Sequence, residues 1–163
     1  MRCFIGAFLA ADPAARLQGL IPPVPGFRPV PAKNLHVTLR FFGEQSPDEA
    51  QDIVDWLATR KAGNLACEMV ALTGLPSPPR AHVLALELRP GPALDALQRQ
   101  IAKRFGPPDR PFRPHVTLAR SRRTRAVTPV HLPPGQELRL LPPQLYRSET
   151  LPSGARYTPV FLS

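Results

Sequence analysis

The sequence has few of the side chains that build disulfide frameworks or metal clusters. Its 163 residues include only two cysteines, Cys3 and Cys67, and only four histidines. Because the two cysteines lie far apart, neither a zinc site nor a disulfide-stapled fold is predicted, and a reducing cytoplasm is favoured. No run approaches the roughly 20 apolar residues of a membrane-spanning helix. We therefore expect a cytoplasmic protein without a membrane span.

The signature of a secretory leader is also weak. The apolar stretch at residues 3–11 follows a single basic residue, Arg2, and precedes Asp12-Pro13, which is a typical helix start. We interpret this stretch as a buried first strand.

Acidic side chains are scarce as well, with 12 Asp and Glu against 21 Lys and Arg. The resulting net charge of +9 and the pI of about 11.0 attract polyanions, of which nucleic acid is the first candidate. A genome that favours Arg and Pro codons would raise the charge in the same way, and the chain contains 23 prolines. Charge alone therefore does not predict RNA binding.

Against this background one tetrapeptide, His-Val-Thr-Leu, occurs twice. The copies are at residues 36–39 and 115–118, 79 residues apart (115 minus 36). Their β-branched residues favour strands, and side chains alternate across a strand, so His36 shares a face with Thr38 and His115 shares one with Thr117. Two such strands facing each other would place two imidazoles and two hydroxyls around one small substrate. A structural duplication without chemistry is the alternative.

Two histidines at one substrate indicate general acid–base catalysis. The unperturbed pKa of histidine, about 6.5, lets one ring donate a proton while the other accepts one. Thr38 and Thr117 can donate hydrogen bonds to oxygens that carry negative charge. A metal-dependent enzyme would need carboxylates beside the histidines, and the nearest in sequence are Glu44 and Asp109. A serine hydrolase is not indicated either, since no Gly-x-Ser-x-Gly occurs. We predict neither a metal nor a cofactor.

The two copies and their flanks resemble the two-histidine (2H) phosphoesterases. The flanks are similar to one branch in particular, the bacterial and archaeal RNA 2′,3′-cyclic phosphodiesterases, also called LigT-like or 2′-5′ RNA ligase-like proteins. The resemblance runs over nearly the whole chain. It rests on Asn34-Leu35-His36-Val37-Thr38-Leu39-Arg40-Phe41-Phe42-Gly43-Glu44, on Arg110-Pro111-Phe112-Arg113-Pro114-His115-Val116-Thr117-Leu118-Ala119-Arg120, and on residues 1–7, 145–148 and 151–157.

The resemblance implies an α+β fold, with residues 1–163 forming a single bilobal domain. Two lobes related by a pseudo-twofold axis would place two antiparallel sheets around a central cleft, with the helices outside. Each lobe would contribute one His-x-Thr motif. The order of strand and helix signals, which repeats roughly around Pro76, is consistent with this arrangement.

The resemblance also implies an activity, the hydrolysis of RNA 2′,3′-cyclic phosphate ends to 2′-phosphomonoesters, with 2′-5′ ligation as its reverse. His36 would be the proton donor to the leaving 3′ oxygen, and His115 the proton acceptor that activates water. The partner would be RNA with a cyclic phosphate end, for example a tRNA fragment, and we expect a monomer. Two alternatives stay open: a catalytically silent RNA- or nucleotide-binding module of the same fold, and an enzyme for another cyclic phosphate.

Four residues after the motifs are candidates for substrate binding. Arg120 and Phe41 occupy equivalent places after their histidines, and the resemblance implies that these places help to hold phosphate and base. Strict alternation puts both on the core side and favours Arg40 and Phe42 for the cleft, unless the strands bend.

Two other features bear on substrate contacts. Arg122, Arg123 and Arg125 either steer an RNA backbone or form a solvated loop. Many relatives carry Trp where Ala85 stands, which puts local packing or a base contact in doubt there.

Local signals predict the remaining elements. Asp12 is predicted to be the N-cap of the first helix, while Ser46, Pro47 and Glu49 predict a helix with a capping box. The predicted strands are residues 2–9, 65–75, 81–88, 137–141, 144–148 and 156–162. The predicted helices are 13–20, 47 to about Gly63, and 92–105, with a proline-rich connection at 21–31, a turn at 76–79 and a basic loop at 121–125.

Overall fold

The computed structural model describes residues 1–21, 24–62 and 65–161, and these form three helices and ten strands. The helices are α1 (Ala11–Leu20), α2 (Pro47–Ala58) and α3 (Pro92–Phe105), and a 3-10 turn covers Ala32–Asn34. The strands are β1 (Arg2–Phe8), β2 (Arg28–Pro29), β3 (His36–Glu44), β4 (Leu65–Ser77), β5 (Arg80–Pro90), β6 (His115–Arg125), β7 (Val130–His131), β8 (Glu137–Leu140), β9 (Gln144–Leu151) and β10 (Gly154–Pro159).

The strands form an antiparallel ladder with two halves. One half has the order β10-β9-β1-β3, and the other continues as β6-β5-β4-β7, with β2 beside β6 and β8 beside β4. The halves meet where β3 pairs with β6 at a single position, Val37 opposite Val116. The two antiparallel sheets expected from the sequence are therefore joined at their motif strands, in an α+β fold.

The hydrophobic core lies between the sheet and the helices. Leu17 of α1, Ile53 of α2 and Ile101 of α3 belong to one buried cluster, which also contains the two motif valines. Val37 and Val116 are 0% exposed, so the junction between the halves is anchored in the core. Burying a valine side chain contributes about 1.5–3 kcal/mol. Among the described residues no helix is long and apolar enough to span a membrane.

The helix starts follow the sequence signals unequally. The capping box of α2 is confirmed, since Ser46 Oγ accepts from the backbone N–H of Glu49 at 3.2 Å and the Glu49 carboxylate accepts from the backbone N–H of Ser46 at 2.8 Å. The prediction for α1 was wrong: the N-cap is Ala10, without a side-chain cap, and Asp12 lies within the first turn. There its charge still faces the positive end of the helix dipole.

The predicted basic loop at residues 121–125 was also wrong, because this stretch continues β6. Ala81 of β5 pairs with Arg125, and Arg28 of β2 pairs with Arg120 on the other side. Pairing with β2 just before this stretch and with β5 at its end keeps the strand extended despite its charged residues.

The predicted end of α2 near Gly63 and the predicted end of the last strand at Leu162 were wrong, because α2 ends at Ala58 and β10 ends at Pro159. At the end of α2 the Thr59 hydroxyl donates to the carbonyl oxygen of Trp56 at 2.7 Å. The prolines at 22 and 23 lie outside the described residues.

Each motif strand has a β-bulge at the leucine of its His-Val-Thr-Leu copy. In β3 the pairing with β1 skips Leu39, and in β6 the pairing with β5 skips Leu118. A bulge inserts one residue, so the side chains that follow it change face. The two halves of the ladder therefore share the same irregularity at equivalent positions, immediately after the His-x-Thr motif.

Candidate active site

Both motif imidazoles are anchored in the same way. Nδ1 of His36 lies 2.7 Å from the carbonyl oxygen of Asn34, and Nδ1 of His115 lies 2.8 Å from that of Arg113. A carbonyl oxygen only accepts, so each Nδ1 donates its hydrogen. Nε2 of each ring then has a lone pair when the ring is neutral and a hydrogen when it is protonated. One titratable nitrogen per ring is left for proton transfer.

The strand register places each histidine beside the threonine of the other copy. Antiparallel pairing of the two motif valines puts His36 opposite Thr117 and Thr38 opposite His115. Directly opposed positions have Cβ atoms about 4.5–5.5 Å apart. Because the intervening valines point into the core, all four polar side chains lie on the face of the sheet opposite the helices. The structure thus brings the four predicted residues together on one face of the sheet.

His36 lies among aromatic rings from β1 and β10. Its ring stacks on Phe8 with a centroid distance of 4.6 Å, lies 5.1 Å from Phe4 and meets the edge of Tyr157 at 5.0 Å. Its Nε2 lies 3.1 Å from Oγ1 of Thr38. The imidazole is therefore held in one orientation by packing as well as by hydrogen bonds.

Two further residues support this aromatic cage. A Cβ at Gly6 would lie 2.8 Å from the ring of Phe4, so only glycine leaves that ring in place. The Asn34 amide donates to the carbonyl oxygen of Ala155 at 3.2 Å and ties the start of β3 to β10, which carries Tyr157.

Burial in the cage lowers the pKa of His36 from its ordinary value of 6.5. Desolvation disfavours the charged imidazolium and is the largest cause. The hydrogen bond to the Asn34 carbonyl partly opposes this effect, while the positive charges of Arg120 and His115 lower the pKa further. His36 therefore stays neutral to a lower pH than a free histidine.

His115 has a different environment. It borders a cavity of about 180 Å³, together with Arg113, Phe112, Thr73 and Glu87. In the part of the chain that the structure describes, no aromatic ring stacks on His115. The second imidazole is thus anchored at Nδ1 and faces a small cavity that both polar and apolar side chains line.

A larger cavity of about 1010 Å³ lies on the side of His36. His36, Thr117 and Tyr157 border it. No carboxylate is among its described lining residues, whereas five basic side chains line it: Arg28, Lys33, Arg120, Arg122 and Arg156. The cavity therefore suits an anionic ligand larger than one phosphate group.

Two of these arginines face each other directly. Arg28 of β2 is the cross-strand partner of Arg120 in β6. Like charges at opposed positions are destabilising. Within the described ranges neither guanidinium has a carboxylate at ion-pair distance, and only Arg156 of the basic lining is paired, with Glu149 at 3.0 Å. An anion between Arg28 and Arg120 would relieve the repulsion.

The bulges decide which of the four flanking candidates face the cleft. Arg120 lies beyond the bulge in β6 and borders the larger cavity. Phe41 lies beyond the bulge in β3 and pairs with Phe4, so it shares the face of the aromatic cage. Its side chain is 51% exposed and lies 5.1 Å from the guanidinium of Arg2. Both are on the histidine face, against the expectation from strict alternation.

Arg40 and Phe42 lie on the opposite face. Arg40 donates to the carbonyl oxygens of Gly106 and Phe105 at 2.8 and 3.2 Å, at the C-terminal end of α3. Phe42 packs edge-on against Phe105 at 5.1 Å. The sequence expectation that favoured these two residues for the cleft is corrected, because it assumed alternation without a bulge at Leu39. They hold α3 against the sheet.

The basic stretch after the second motif is divided among different surroundings. Arg122 borders the larger cavity, while Arg123 is exposed. Nε of Arg125 donates to Oγ of Ser121 at 3.2 Å, and the guanidinium packs on Gly26, where any Cβ would collide with it. Only Arg122 of the three is placed at the cleft.

Several residues of the cleft have no signal in the sequence. Tyr157 is 121 residues from His36 (157 minus 36), and the pairings of β10 with β9, β9 with β1 and β1 with β3 bring it there. Glu87 has no such signal either, because only the register of β5 against β6 places it opposite His115. Ala85 lies opposite both Thr117 and Thr73 and is fully buried.

The polar groups allow acid–base chemistry at an anion. Two rings present one titratable nitrogen each, and hydroxyls and guanidinium groups lie beside them. Among the described residues, no three His, Cys, Asp or Glu side chains cluster as metal ligands would. The geometry favours transfer of protons to and from a substrate whose charge is held by arginine.

The comparisons with known proteins agree with this geometry. The RNA 2′,3′-cyclic phosphodiesterase of Thermus thermophilus is 34% identical over 97% of this chain and 87% of its own length. The crystal structure of TT0787 from the same organism has a TM-score of 0.80 at 27% identity and covers 99% of this chain and 96% of that one. The structure of E. coli LigT complexed with 3′-AMP has a TM-score of 0.72 at 28% identity, over 98% and 95%. Since the family model of the 2′-5′ RNA ligase superfamily also matches residues 9–143, the chain belongs to that superfamily.

Proposed function

We propose that this protein hydrolyses RNA 2′,3′-cyclic phosphate ends to 2′-phosphomonoesters. The observation that carries the proposal is the pair of Nδ1-anchored imidazoles, His36 and His115, on one sheet face with a threonine opposite each. Opening a cyclic phosphodiester needs one proton donor and one proton acceptor on opposite sides of phosphorus, and this arrangement supplies both. The relative from Thermus thermophilus carries the same activity in its name.

In the proposed reaction His115 is the proton acceptor and His36 the proton donor. Nε2 of neutral His115 takes a proton from a water molecule as its oxygen bonds to phosphorus. The bond from phosphorus to the 3′ oxygen breaks, and that oxygen takes the proton from Nε2 of protonated His36. The product has a 2′-phosphate and a 3′-hydroxyl. The two rings then exchange protons with solvent and return to their starting states.

The two threonines and Arg120 hold the phosphate in this proposal. Thr38 and Thr117 lie next to the rings, where their hydroxyls can donate to the non-bridging oxygens that carry the negative charge. Arg120 lies on the side of His36 and can form a charge-assisted hydrogen bond to the same group. Phe41 lies on the same face with half of its ring exposed, and we assign it a contact with the base.

The lowered pKa of His36 is compatible with a role as proton donor only when the substrate is bound. The cage and Arg120 favour the neutral ring. A bound phosphate brings a negative charge to both Arg120 and His36, which opposes these effects and favours the imidazolium. Binding of the substrate would therefore favour protonation of His36, which then donates that proton to the 3′ oxygen.

The basic lining extends the site beyond one nucleotide. A cavity of about 1010 Å³ with five basic side chains exceeds the needs of a single phosphate. We propose that it holds the RNA strand that precedes the cyclic phosphate, and tRNA fragments are one candidate source of such ends. We further propose that the protein acts in the cytoplasm, as a monomer and without a metal ion. The same groups can perform 2′-5′ ligation when the 5′-hydroxyl of a second RNA replaces water as the nucleophile.

One experiment tests the proposal directly. A short RNA that ends in a 2′,3′-cyclic phosphate is incubated with the purified protein in EDTA, and the product is identified by mass and by nuclease sensitivity. A 2′-phosphate end is expected. Absence of turnover, or turnover that stops in EDTA and returns with a divalent ion, would contradict the metal-independent mechanism.

A further inference from the structure

Glu87 is a carboxylate beside His115 that the proposed reaction has not used. It is the direct cross-strand partner of His115 in the β5–β6 ladder, so both side chains lie on the cleft face. Both also border the cavity of about 180 Å³. Opposed positions have Cβ atoms about 4.5–5.5 Å apart, so the carboxylate stays within reach of anything bound at His115.

Glu87 is half-buried, and within the described residues its carboxylate has neither a hydrogen bond nor an ion pair. It cannot share the Nδ1 hydrogen of His115, which goes to the carbonyl oxygen of Arg113. A carboxylate next to the binding site of an anion also repels the substrate. A carboxylate that repels the substrate and has no hydrogen-bonding partner of its own indicates a bound ligand that donates to it. The cavity of about 180 Å³ has room for a water molecule in this position.

We propose that Glu87 orients the attacking water and thereby makes water, and not the 5′-hydroxyl of a second RNA, the preferred nucleophile. The inference rests on the proposed function, with His115 as the proton acceptor. One O–H of the water donates to Nε2 of His115 and the other donates to the Glu87 carboxylate. The lone pair of the oxygen then points at phosphorus.

The proton balance is unchanged by this role. The water oxygen bonds to phosphorus, one of its protons moves to Nε2 of His115, and the 3′ oxygen leaves with the proton of His36. The second proton stays on the new phosphate oxygen or passes to solvent. Glu87 accepts a hydrogen bond throughout and takes up no proton, so it positions the water without entering the transfer.

An alcohol satisfies this arrangement less well than water. A 5′-hydroxyl has only one hydrogen, and once it donates to His115, Glu87 is left desolvated without a donor. The phosphate that follows the first nucleotide of a second RNA would also approach the carboxylate. The five basic residues on the side of His36 attract RNA, whereas Glu87 disfavours it on the side of His115.

The test compares the wild type with E87Q, which keeps the size of the side chain and removes its charge. E137Q is the matched control, since Glu137 is exposed on β8 and paired with Arg139 at 2.8 Å. Each protein is given RNA with a 2′,3′-cyclic phosphate in EDTA, together with excess 5′-hydroxyl RNA or with methanol. The 2′-phosphate, the 2′-5′-linked product and the methyl ester are counted separately.

For E87Q we expect kcat for hydrolysis to fall about tenfold, as for loss of a hydrogen bond to a charged group. The KM of E87Q should fall at the same time, because the charge that repels the substrate is gone. A loosened fold would instead raise KM while it lowers kcat, so the two measurements distinguish these causes. The ratios of both the ligated and the methylated product to the hydrolysed product should rise. E137Q should match the wild type.

The outcomes separate this inference from the proposed function. If the wild type is active and E87Q gives the same product ratios as the wild type, the proposed role of Glu87 is overturned and the proposed function is not. A rise in ligation without a rise in methanolysis would overturn the orientation of water and leave only charge repulsion. A wild type without hydrolysis would overturn the proposed function, and this inference with it.

Discussion

The two His-Val-Thr-Leu copies have the same sequence and the same local geometry but different surroundings. In both, Nδ1 donates to a carbonyl oxygen two residues earlier, and in both the leucine is a bulge. His36, however, is caged by Phe4, Phe8 and Tyr157, while His115 borders a small cavity with Glu87. The motif supplies equivalent groups, and the rest of the fold makes them unequal.

This difference indicates how a duplicated motif can perform two opposite tasks. A donor and an acceptor need rings with different proton affinities and different access to water. The lowered pKa of His36 has burial as its main cause, and that burial comes from β1 and β10, not from the motif. Five experiments would break or sharpen the comparison.

The largest effect is expected from removing either imidazole. His36→Ala and His115→Ala should each lower hydrolysis by about 10²–10⁴-fold, because each removes one proton transfer. A substrate with sulfur in place of the 3′ oxygen, whose leaving group hardly needs protonation, should restore much of the rate of His36→Ala and little of that of His115→Ala. The measurement is single-turnover kinetics, with circular dichroism as the control for folding.

The opposite pattern of rescue would exchange the roles of donor and acceptor. Full activity in either variant would end the two-histidine mechanism.

The next effect compares the equivalent positions Arg120 and Phe41. Arg120→Gln should raise KM by roughly 10- to 100-fold, because a hydrogen bond between charged groups is worth about 1.5–3 kcal/mol. Phe41→Leu should change KM less, since an exposed ring gives only part of its area to a base. Steady-state kinetics measures both, and Arg99→Gln on the outer face of α3 is the control. Equal effects at the two positions would remove the distinction between a phosphate contact and a base contact.

A smaller effect is expected in the salt dependence of RNA binding. Arg28→Gln should reduce the slope of log K against log salt by about 0.7, the value for one phosphate contact on a single strand. Arg139→Gln, on the exposed β8, should leave the slope unchanged. Fluorescence anisotropy with a cyclic-phosphate RNA at several salt concentrations measures it. If the wild-type affinity itself does not depend on salt, the basic lining does not bind the RNA backbone.

The smallest effect concerns the cage around His36. Phe8→Leu should raise the pKa of His36 toward 6.5, because a smaller side chain buries the imidazole less. Arg120→Gln should act in the same direction, since its charge also lowers that pKa. NMR titration of the imidazole measures both shifts, and Phe42→Leu on the helix side is the control. A pKa unaffected by Phe8→Leu would mean that the cage does not cause the shift.

The same lowered pKa has a consequence for stability. In the unfolded chain His36 has a pKa near 6.5, so between the two pKa values it binds more protons than it does in the folded protein. The neutral, caged His36 therefore adds to the free energy of unfolding, and this contribution is complete above pH 6.5. It is lost as the pH falls through the lowered folded-state pKa. Urea unfolding at pH 7.5 and at lower pH should show a smaller acid-induced loss in Phe8→Leu than in the wild type.

Much of the site could be read from the sequence, because its essential part is local. The motif repeat predicted four polar groups on one face, and the capping box of Ser46 and Glu49 predicted the start of α2. Three features could not be predicted from local sequence, because they depend on which strands pair. They are the register of β5 against β6, the two bulges and the continuation of β6 beyond residue 120. Phe41 lies on the histidine face in place of Arg40, because the bulge at Leu39 inserts one extra residue before them.

The sequence by itself determined which chemical groups the protein has and that they occur in two matched sets. Alternation within a strand is a property of neighbouring residues, so His36 with Thr38 and His115 with Thr117 needed no distant contact. Only the tertiary structure decided how the sets differ: Tyr157 reaches His36 through three strand pairings, and Glu87 reaches His115 through one. Burial and charge act through space, and they depend on which strands become neighbours when the chain folds.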